Sequence, residues 1–420
     1  MSQRAAVARP RADRRAEGGS WPSQAAQGLL GAGRLPRAVL LNVNDGGLTL
    51  ARELRRHGVE VHALVVPGTE WLAAGRVMHV HRIPALPAGA AEWLAVLRGL
   101  GDRPGVLIPT SDAACELVCR RRDEIPATLA SFESATSGHL ELMNKERLYA
   151  VAAEAGVLAP WVRVAADRAT LDRLAGEVEF PCILKGAMGH DARRAGGHAT
   201  RRVDSPAELL TFGRTALDDG HRLLVTALVP GDESRLEGAV TIRDRAGEYA
   251  LSYGRRKLRQ YPPDYGGVSL MVAEPAPGTV AMAHTLLDHV GFHGVSSLEA
   301  KRHENSGELV LIEVNVRLPQ SWGLSRANRS DGSWRLYRVL AGLPLEPPPG
   351  PRSGAKVLLP QLDLLTLAEH QRAGRLDARE VVRSLSGVRD WGAFSWRHPA
   401  PALAFLRREA HVRWRRRRER

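Results

Sequence analysis

The segment GVSSLEAKRHENSGELVLIEVNVR, residues 294–317, decides the fold of this chain. Two runs of alternating apolar residues flank the letters NSG at 305–307, a pattern typical of a hairpin with a three-residue loop. With that loop, Glu299 lies directly opposite Glu313, at about 5 Å across the strand pair. Asn315 shares their face, because side chains alternate along a strand. The opposite face carries apolar residues that can fill a core, namely Leu298, Ala300, Ile312 and Val314.

The opposed carboxylates predict a metal site on this hairpin. Two like charges directly opposite each other repel, unless a cation lies between them. Glu299, Glu313 and Asn315 offer hard oxygen ligands, which suit Mg²⁺ or Mn²⁺ with phosphate and water completing the coordination. Arg317, two residues beyond Asn315, adds a positive charge on the same face for a phosphoryl group. The alternative is a solvent-facing hairpin with two exposed glutamates.

A lysine ends a buried strand earlier in the chain. The run FPCILKG places Lys185 at the end of an apolar strand, where its ammonium can meet a phosphate as a point charge. Glycines in the following loop allow backbone N–H groups to approach phosphate oxygens, although an ordinary strand connection fits as well. The loop residues considered are Gly186, Gly189, His190, Arg193, Gly196 and Gly197.

The segment LLVTALVPGDES, residues 223–234, is a candidate nucleobase contact. An apolar strand ends there in a Pro-Gly turn followed by acids. The edge of such a strand can offer backbone N–H and C=O groups to adenine, and Glu233 can then accept a hydrogen bond from a ribose hydroxyl. A plain strand and turn is the competing interpretation.

From residue 38 onward the sequence alternates strands and helices, the pattern of a parallel, Rossmann-like α/β sheet. The strand candidates are AVLLNV, VEVHALVV and VLIPTSD. Residues that follow such strands lie at the carboxyl edge of the sheet, where open α/β folds bind ligands, although each also fits a turn or a helix cap. They are Asn44, Asp45, Thr110, Ser111 and Asp112.

The sequence predicts four regions. Residues 1–37 form a disordered basic extension, and 38–140 form the Rossmann-like α/β domain. Residues 141–346 mix hairpins and helices as a separate α+β domain, and 347–420 form a C-terminal helical extension that ends in a basic tail. The aromatic residues expected to pack onto the body are Trp391, Phe394 and Trp396.

Charge is concentrated in the tails. Residues 1–37 carry seven arginines and two acids, and residues 407–420 carry eight arginines and two acids, so the tails supply most of the net charge of +13. Specific nucleic-acid binding is therefore not expected, because the body is nearly balanced. Solvated ends are one interpretation of the tails. Peripheral contact of the basic C-terminal tail with an anionic membrane or a partner protein is the other.

Composition favours a cytoplasmic protein. The chain has no apolar run of about 18 residues and no apolar signal region near its start. Its cysteines, Cys115, Cys119 and Cys182, do not form a disulfide framework. Cys115 and Cys119 can share a helical face, and buried structural cysteines are favoured over a metal pair.

The order of these segments resembles the ATP-grasp superfamily over roughly residues 38–345. An N-terminal α/β domain is followed by NKERLY, FPCILKG, LLVTALVPGDES, RKLRQYPPDYGG and GVSSLEAKR with LIEVNVR. The last two segments are similar to those of the carbamoyl-phosphate-synthase-like branch of predicted carboxylate–amine ligases. The resemblance implies two α+β subdomains that clasp ATP between them.

The resemblance also implies roles for particular residues. Lys145 and Lys185 contact ATP phosphates, and Glu299, Glu313 and Asn315 bind Mg²⁺. The hinge that contacts adenine comprises Thr226, Ala227, Leu228 and Val229, with Glu233 on the ribose. The residues that face the γ-phosphate and the carboxylate substrate are Lys257, Arg259 and Arg317. The chain departs from the family at Thr226-Ala227, where relatives often have an acidic or amide residue, and in the loop after Lys185, where it has Arg193, Arg194 and His198.

The implied activity is an ATP-dependent ligase that activates a carboxylate as an acyl-phosphate and joins it to an amine. Its cofactors are ATP and Mg²⁺, and its partners are small-molecule carboxylates and amines. No nucleophilic side chain is required, because such catalysis depends on positioning and electrostatics. Two alternatives stay open, a bicarbonate-dependent carboxylase and a module that binds ATP without turnover.

Overall fold

The computed structural model describes residues 35–186, 200–218, 220, 222–263, 265–347 and 349–418. The predicted N-terminal extension lies outside the described residues apart from 35–37, as does the loop at 187–199 that follows Lys185. Among the described helices, none combines the length and apolarity needed to cross a membrane.

The first sheet is parallel throughout and has the strand order β3-β2-β1-β4-β5, which confirms the predicted Rossmann-like arrangement. Its strands are β1 (Arg37–Leu41), β2 (Val61–Val65), β3 (His79–Arg82), β4 (Gly105–Pro109) and β5 (Leu129–Ala130). Helices α1 (Asp45–Arg56), α2 (Ala90–Gly99) and α3 (Asp112–Arg120) lie between them. Strands β1, β2 and β4 are buried along their whole length, as expected for a parallel sheet covered on both faces.

Polar caps begin the helices at the carboxyl edge of this sheet. The Asn44 side chain accepts a hydrogen bond from the Gly47 N–H at 2.8 Å and begins α1. The Ser111 hydroxyl accepts one from the Ala114 N–H at 3.3 Å and begins α3. Each side chain satisfies a backbone donor that has no partner within its helix. Both residues thus fit the cap interpretation that the sequence left open.

A short helical pair leads into a second, antiparallel sheet. Helix α4 (His139–Met143) precedes α5 (Lys145–Glu154), whose N-cap is Asn144 as predicted. The sheet has the order β6-β9-β7-β8. Its elements are β6 (Val162–Ala165), α6 (Arg168–Glu177), β7 (Cys182–Gly186), β8 (Thr200–Val203), α7 (Pro206–Asp218) and β9 (Leu223–Ala227).

The largest sheet, in the order β14-β13-β10-β11-β12-β15-β16, includes the hairpin on which the fold was predicted. Its first strands are β10 (Leu236–Arg243), β11 (Tyr249–Tyr261), β12 (Gly267–Ala273), β13 (Gly294–Arg302) and β14 (Leu309–Asn315), and α8 (Pro277–His289) lies before β13. Short 3₁₀ turns occur at Leu100–Asp102, Arg122–Glu124 and Glu233–Arg235.

Glu299 pairs with Glu313 and Ser297 with Asn315, as the sequence predicted. The strand pairing between Glu299 and the loop of the hairpin differs from the prediction. Beyond Glu299 the register shifts, so that Ala300 pairs with Leu311, and Ile312 becomes the extra residue of a β-bulge. The predicted core position of Ile312 is therefore wrong. Leu311 fills the core instead, and Ile312 lines a cavity beside Glu313.

The C-terminal region is less purely helical than predicted, because two short strands extend the largest sheet. They are β15 (Lys356–Leu358) and β16 (Val388–Asp390), and the helices are α9 (Gly323–Ala327), α10 (Gly332–Leu340), α11 (Pro360–Arg372), α12 (Ala378–Leu385) and α13 (Ala400–Arg418). Phe394 packs against Phe405 of α13, with ring centroids 6.0 Å apart. Trp396 does not pack onto the body as expected, since it is 101% exposed, whereas Trp391 is 43% exposed and packs in part.

Candidate active site in the cleft between the antiparallel sheets

A cleft separates the β6-β9-β7-β8 sheet from the largest sheet, and most of the predicted site residues line it. The inner cavity is lined by Lys145, Tyr149, Ile183, Lys185, Thr226, Ala227, Leu228, Val229, Lys257, Gln260, Glu299, Lys301, Ile312 and Glu313. An adjoining cavity is lined by Asp112, Arg255, Lys257, Glu299, Glu313, Asn315, Arg317 and Gln320. The two cavities share residues, so the site extends from the end of β9 to the carboxyl edge of the parallel sheet.

The predicted hinge lies at the end of β9. Thr226 is 2% exposed and pairs with Ile183 on one side and Val162 on the other, so its backbone is part of the sheet. Leu228 and Val229 follow as a segment without regular pairing and line the cavity. Such a segment can present backbone N–H and C=O groups to a nucleobase without a polar side chain.

Lys301 fixes the geometry of the hinge. Its ammonium donates hydrogen bonds to the Val229 carbonyl oxygen, at 3.0 Å, and to the carbonyl oxygen of Gly231. Glu233 lies farther out, where the cleft is also lined by Trp161, Phe180 and Tyr265. Lys301 stands two residues after Glu299 on the same strand, so the alternation that identified Glu299 could also have identified this lysine.

Lys185 is buried at the floor of the cavity. Its ammonium donates to the hydroxyl of Tyr149 at 2.5 Å, and its nitrogen lies 4.8 Å from the centre of that ring. Burial lowers the pKa of Lys185 to about 8, although the nearby Glu313 carboxylate acts in the opposite direction. Tyr149 in turn donates to the Ile312 carbonyl oxygen at 2.8 Å. The lysine is therefore held in place but is only weakly paired with negative charge.

Glu299 is held by two cations from the neighbouring strand β11. Lys257 Nζ lies 2.8 Å from its Oε2, and Arg255 Nη2 lies 3.2 Å from its Oε1. Burial would raise the pKa of Glu299, but the charges of Lys257 and Arg255 outweigh burial and lower it to about 2. The predicted repulsion between Glu299 and Glu313 is thus relieved on the Glu299 side by cations of the chain itself.

Asn315 and Arg317 connect the hairpin to the parallel sheet. Arg317 Nη2 donates to the Asn315 side-chain oxygen at 3.2 Å, and Nε donates to Asp112 Oδ1 at 2.6 Å. Asp112 lies at the carboxyl edge of the parallel sheet, as the sequence predicted. The residues predicted to bind metal and phosphate are therefore adjacent to a carboxylate of the first domain.

The structure contradicts the predicted position of Arg259. Residues 257 and 259 would share a face in a regular strand, but the register of β11 shifts between them, so that Lys257 pairs with Met271 and Arg259 with Leu270. Arg259 instead forms a bidentate pair with Asp363 of α11, with nitrogen–oxygen distances of 2.8 and 2.7 Å. Arg259 is therefore a packing residue outside the cleft.

Arg255 is the main residue that the sequence interpretation missed. It is 2% exposed and also donates to the Ser297 hydroxyl at 2.8 Å. The sequence spacing could have identified Arg255, because it stands two residues before Lys257 and strand alternation places both on one face. Tyr149 is the other omission, and no spacing rule in the sequence links it to Lys185.

The donor set fits a divalent cation. Glu313 and the Asn315 side-chain oxygen offer hard ligands on one face of the hairpin, and Glu299 stands opposite Glu313. Such an ion would compete with Lys257 and Arg255 for the Glu299 oxygens. The chemistry of these groups therefore matches Mg²⁺ or Mn²⁺ held between carboxylates and phosphate.

No protein-family model matches the sequence, and a search of curated proteins finds no match. Solved structures do match. An ADP complex of purK, N5-carboxyaminoimidazole ribonucleotide synthetase, aligns with a TM-score of 0.59 and 16% identity, over 74% of this chain and 79% of that one. Carboxyaminoimidazole ribonucleotide synthase from Aspergillus clavatus, complexed with ATP, aligns with a TM-score of 0.57 and 16% identity, over 74% and 78%.

The biotin carboxylase domain of 2-oxoglutarate carboxylase from Hydrogenobacter thermophilus, with MgADP, ADP and bicarbonate, is also similar. Its TM-score is 0.60 at 16% identity, over 76% of this chain and 73% of that one. The chain therefore has the ATP-grasp fold.

Proposed function

We propose that the protein is an ATP-dependent ligase that activates a carboxylate as an acyl-phosphate and joins it to an amine. The observation that supports this most is the convergence of Lys185, Lys257, Glu299 and Glu313 in one cleft of an ATP-grasp fold. Similar structures with ADP or ATP bound support the nucleotide as the co-substrate.

In the proposed reaction, an oxygen of the substrate carboxylate attacks the γ-phosphorus of ATP. The bond to the ADP oxygen breaks, and an acyl-phosphate forms. The amine nitrogen then attacks the acyl carbon, phosphate leaves, and the amine gives up a proton. Lys185 and Lys257 would balance the charge on the transferred phosphoryl group, and Arg317 would bind the carboxylate.

Glu299, Glu313 and Asn315 would hold Mg²⁺. When bound, the ion would supply charge neutralisation on the β- and γ-phosphates. Lys145 and Lys185 would contact the phosphates, while the backbone of 227–229 would contact adenine. Glu233 lies in the outer part of the cleft, in a position suited to the ribose.

An isotope experiment tests the proposal directly. The full chain is incubated with ATP, Mg²⁺ and pairs from a panel of carboxylates and amines, and ADP release is measured. With the active pair labelled by ¹⁸O in the carboxylate, one labelled oxygen is expected in the released phosphate. ADP formation without transfer of label to phosphate would rule out the acyl-phosphate.

A matched pair of variants tests whether ADP release depends on the glutamate of the site or on any glutamate of the hairpin. Glu313→Gln should lose ADP release by at least about a hundredfold, because it removes a charged ligand from the phosphoryl-transfer site. Glu304→Gln, on the exposed loop of the same hairpin, should retain activity. Full activity in Glu313→Gln would refute the assignment of the metal ligands.

A second candidate function is ATP- and bicarbonate-dependent carboxylation. It is supported by the bicarbonate complex among the similar structures and by their carboxyaminoimidazole ribonucleotide synthetases. Bicarbonate-dependent ADP release without an added organic acid would favour it over the ligase. Binding of ATP with no product after hours of incubation would instead support a non-catalytic module.

We also propose that α13 makes peripheral contact with an anionic membrane in the cytoplasm. Leu403, Leu406 and Trp414 are 50%, 54% and 49% exposed and recur at helical spacing, and seven arginines lie between residues 407 and 418. Sedimentation with vesicles that contain phosphatidylserine, but not with neutral vesicles, is expected. Unchanged sedimentation of a variant lacking 400–420 would refute this contact.

A further inference from the structure

A buried cluster of metal-binding side chains lies outside the ATP cleft, between α3 and the start of α4. Cys115, Glu133 and His139 are 0%, 3% and 0% exposed. Their ligand atoms all lie within 4.8 Å of one another. The proposed ligase reaction uses none of these groups, so their association needs a separate explanation.

Hydrogen bonds define the orientation of His139. The Ser137 hydroxyl donates to the Ser134 carbonyl oxygen at 2.8 Å and accepts from the Ser134 N–H at 2.9 Å. Its oxygen also lies 2.8 Å from His139 Nδ1. Because the hydroxyl hydrogen is already directed to Ser134, Nδ1 carries the imidazole hydrogen and donates it to Ser137. The lone pair of a neutral His139 is therefore on Nε2.

That nitrogen faces a carboxylate rather than a donor. His139 Nε2 is buried without a hydrogen-bond partner among the described residues, and Glu133 Oε1 lies 3.7 Å away. The other oxygen of Glu133 accepts a hydrogen bond from Ser131, which fixes the carboxylate. Two acceptors that face each other are stabilised by a cation between them. Two ligands at ~2.1 Å from a tetrahedral ion lie about 3.4 Å apart, close to the observed spacing.

The fourth ligand comes from outside this group of three. Cys119 follows Cys115 by one turn of α3 and is 2% exposed, so it is a second buried thiol on the same side of the helix. Two thiolates and one carboxylate exceed the charge of a divalent ion by one negative charge. Burial raises the pKa of Glu133, and the positive charges of Arg245 and Arg122, which can balance the excess, act in the opposite direction.

We propose that Cys115, Glu133 and His139 bind Zn²⁺ in a buried structural site, with the Cys119 thiol of the same helix as the fourth ligand. Sulfur and imidazole ligands in a tetrahedral set favour Zn²⁺ over Mg²⁺ or Ca²⁺. Ligation requires the Cys119 thiol to move toward the other three ligands, and it releases the protons of both thiols. The ion connects α3 of the parallel sheet to the 131–139 segment that leads into the ATP-grasp domain.

Cobalt substitution of the full chain tests this site. The purified protein is treated with a chelator and titrated with Co²⁺ alone. One equivalent is expected to give thiolate-to-cobalt charge-transfer absorption together with the visible bands of tetrahedral Co²⁺, and Zn²⁺ should displace both. Co²⁺ at the carboxylate site of the ATP cleft gives no thiolate absorption, so the two sites are distinguishable.

Variants assign the ligands. Cys115→Ser and His139→Gln should each weaken Co²⁺ binding by at least about tenfold, the effect expected when a metal ligand is lost. Cys182→Ser, which changes the buried cysteine of β7, is the matched control and should bind like the wild type. Circular dichroism confirms that each variant is folded. Absence of thiolate absorption in the folded wild type, or absorption unchanged in both ligand variants, would overturn the proposal.

Discussion

At the residue scale, Lys185 combines burial with incomplete pairing. Its ammonium donates to the neutral hydroxyl of Tyr149 and lies near Glu313 without an ion pair shorter than 4 Å among the described residues. A buried lysine of this kind loses its proton more easily than an exposed one. It can therefore gain an interaction when a phosphate arrives, because the phosphate supplies the missing negative charge.

The pKa of about 8 for Lys185 predicts a pH dependence of nucleotide binding. Only the protonated lysine attracts phosphate, so ATP affinity should fall as the pH rises above about 8, by up to about tenfold per pH unit. Calorimetric titration with ATP between pH 7 and 9.5 measures the effect. Lys185→Arg should keep a nearly constant affinity over this range, since guanidinium stays charged. A wild-type affinity that is constant from pH 7 to 9.5 would contradict the prediction.

The two hairpin glutamates should differ in their contributions to stability. Glu299→Ala leaves Arg255 and Lys257 buried without their carboxylate, and is expected to lower the free energy of unfolding by about 3 kcal/mol. Glu313→Ala breaks no comparable pair within the part of the chain that the structure describes, and should cost less than about 1 kcal/mol. Urea unfolding of both variants measures the difference. Equal losses would mean that the cations do not stabilise Glu299.

At the element scale, the irregular register of β11 directs two basic side chains to different neighbours. Lys257 faces the cleft, whereas Arg259 faces α11 across the β-bulge. Asp363 of α11 also accepts from the Ser269 hydroxyl at 2.9 Å, and Arg259 donates to Ser384 of α12 at 2.5 Å. The C-terminal helices are thus attached to the strand that supplies Lys257 to the cleft.

Breaking this attachment should be costly. Arg259 and Asp363 are 8% and 4% exposed, so Asp363→Ala leaves a buried guanidinium unpaired and should destabilise the protein by about 3–5 kcal/mol. A double variant with Arg259→Leu and Asp363→Leu should lose less than the sum of the single changes. Denaturant unfolding provides these values.

The control for that experiment is an exposed ion pair. The side chains of Arg168 and Asp218 are 60% and 51% exposed and lie 2.5 Å apart. Asp218→Ala should therefore cost less than about 1 kcal/mol. A similar loss for Asp363→Ala and Asp218→Ala would show that burial does not strengthen the Arg259–Asp363 contact.

At the scale of the whole molecule, the parallel sheet packs against later parts of the chain. Glu53 of α1 accepts a hydrogen bond from Ser333 of α10, far away in sequence. Asn44 donates to the Leu318 carbonyl oxygen at 3.4 Å, and Tyr337 donates to the Pro36 carbonyl oxygen at 2.7 Å. The parallel sheet is therefore packed against the later part of the ATP-grasp fold.

Glu53 makes this packing sensitive to pH. Burial raises its pKa to about 7, so the folded state retains a proton that the unfolded state has lost above about pH 4.5. The contribution of Glu53 to stability should therefore be largest below pH 4.5 and should be lost as the pH rises to about 7, by up to about 3 kcal/mol. Glu53→Gln should remove this part of the pH dependence, measured by urea unfolding from pH 4.5 to 8. An identical dependence in the variant would contradict the assignment.

The sequence by itself determined the order of elements and the face of the hairpin. Glu299 opposite Glu313 and the cap at Asn144 follow from alternation and local hydrogen bonding, which involve residues close together in the chain. The parallel sheet followed from alternating strands and helices, because buried strands need long apolar runs. These features depend on short-range rules, and the structure reproduces them.

Only the tertiary structure decided the rest of the site. The bulge in β11 that turns Arg259 toward Asp363, and the bulge that exposes Ile312 to the cleft, each shift the register by one residue and reverse a side chain. Tyr149 reaches Lys185, and Glu133 and His139 reach Cys115, because separate elements pack together. No periodicity within one segment encodes such contacts, since they depend on the packing of elements that are distant in the chain.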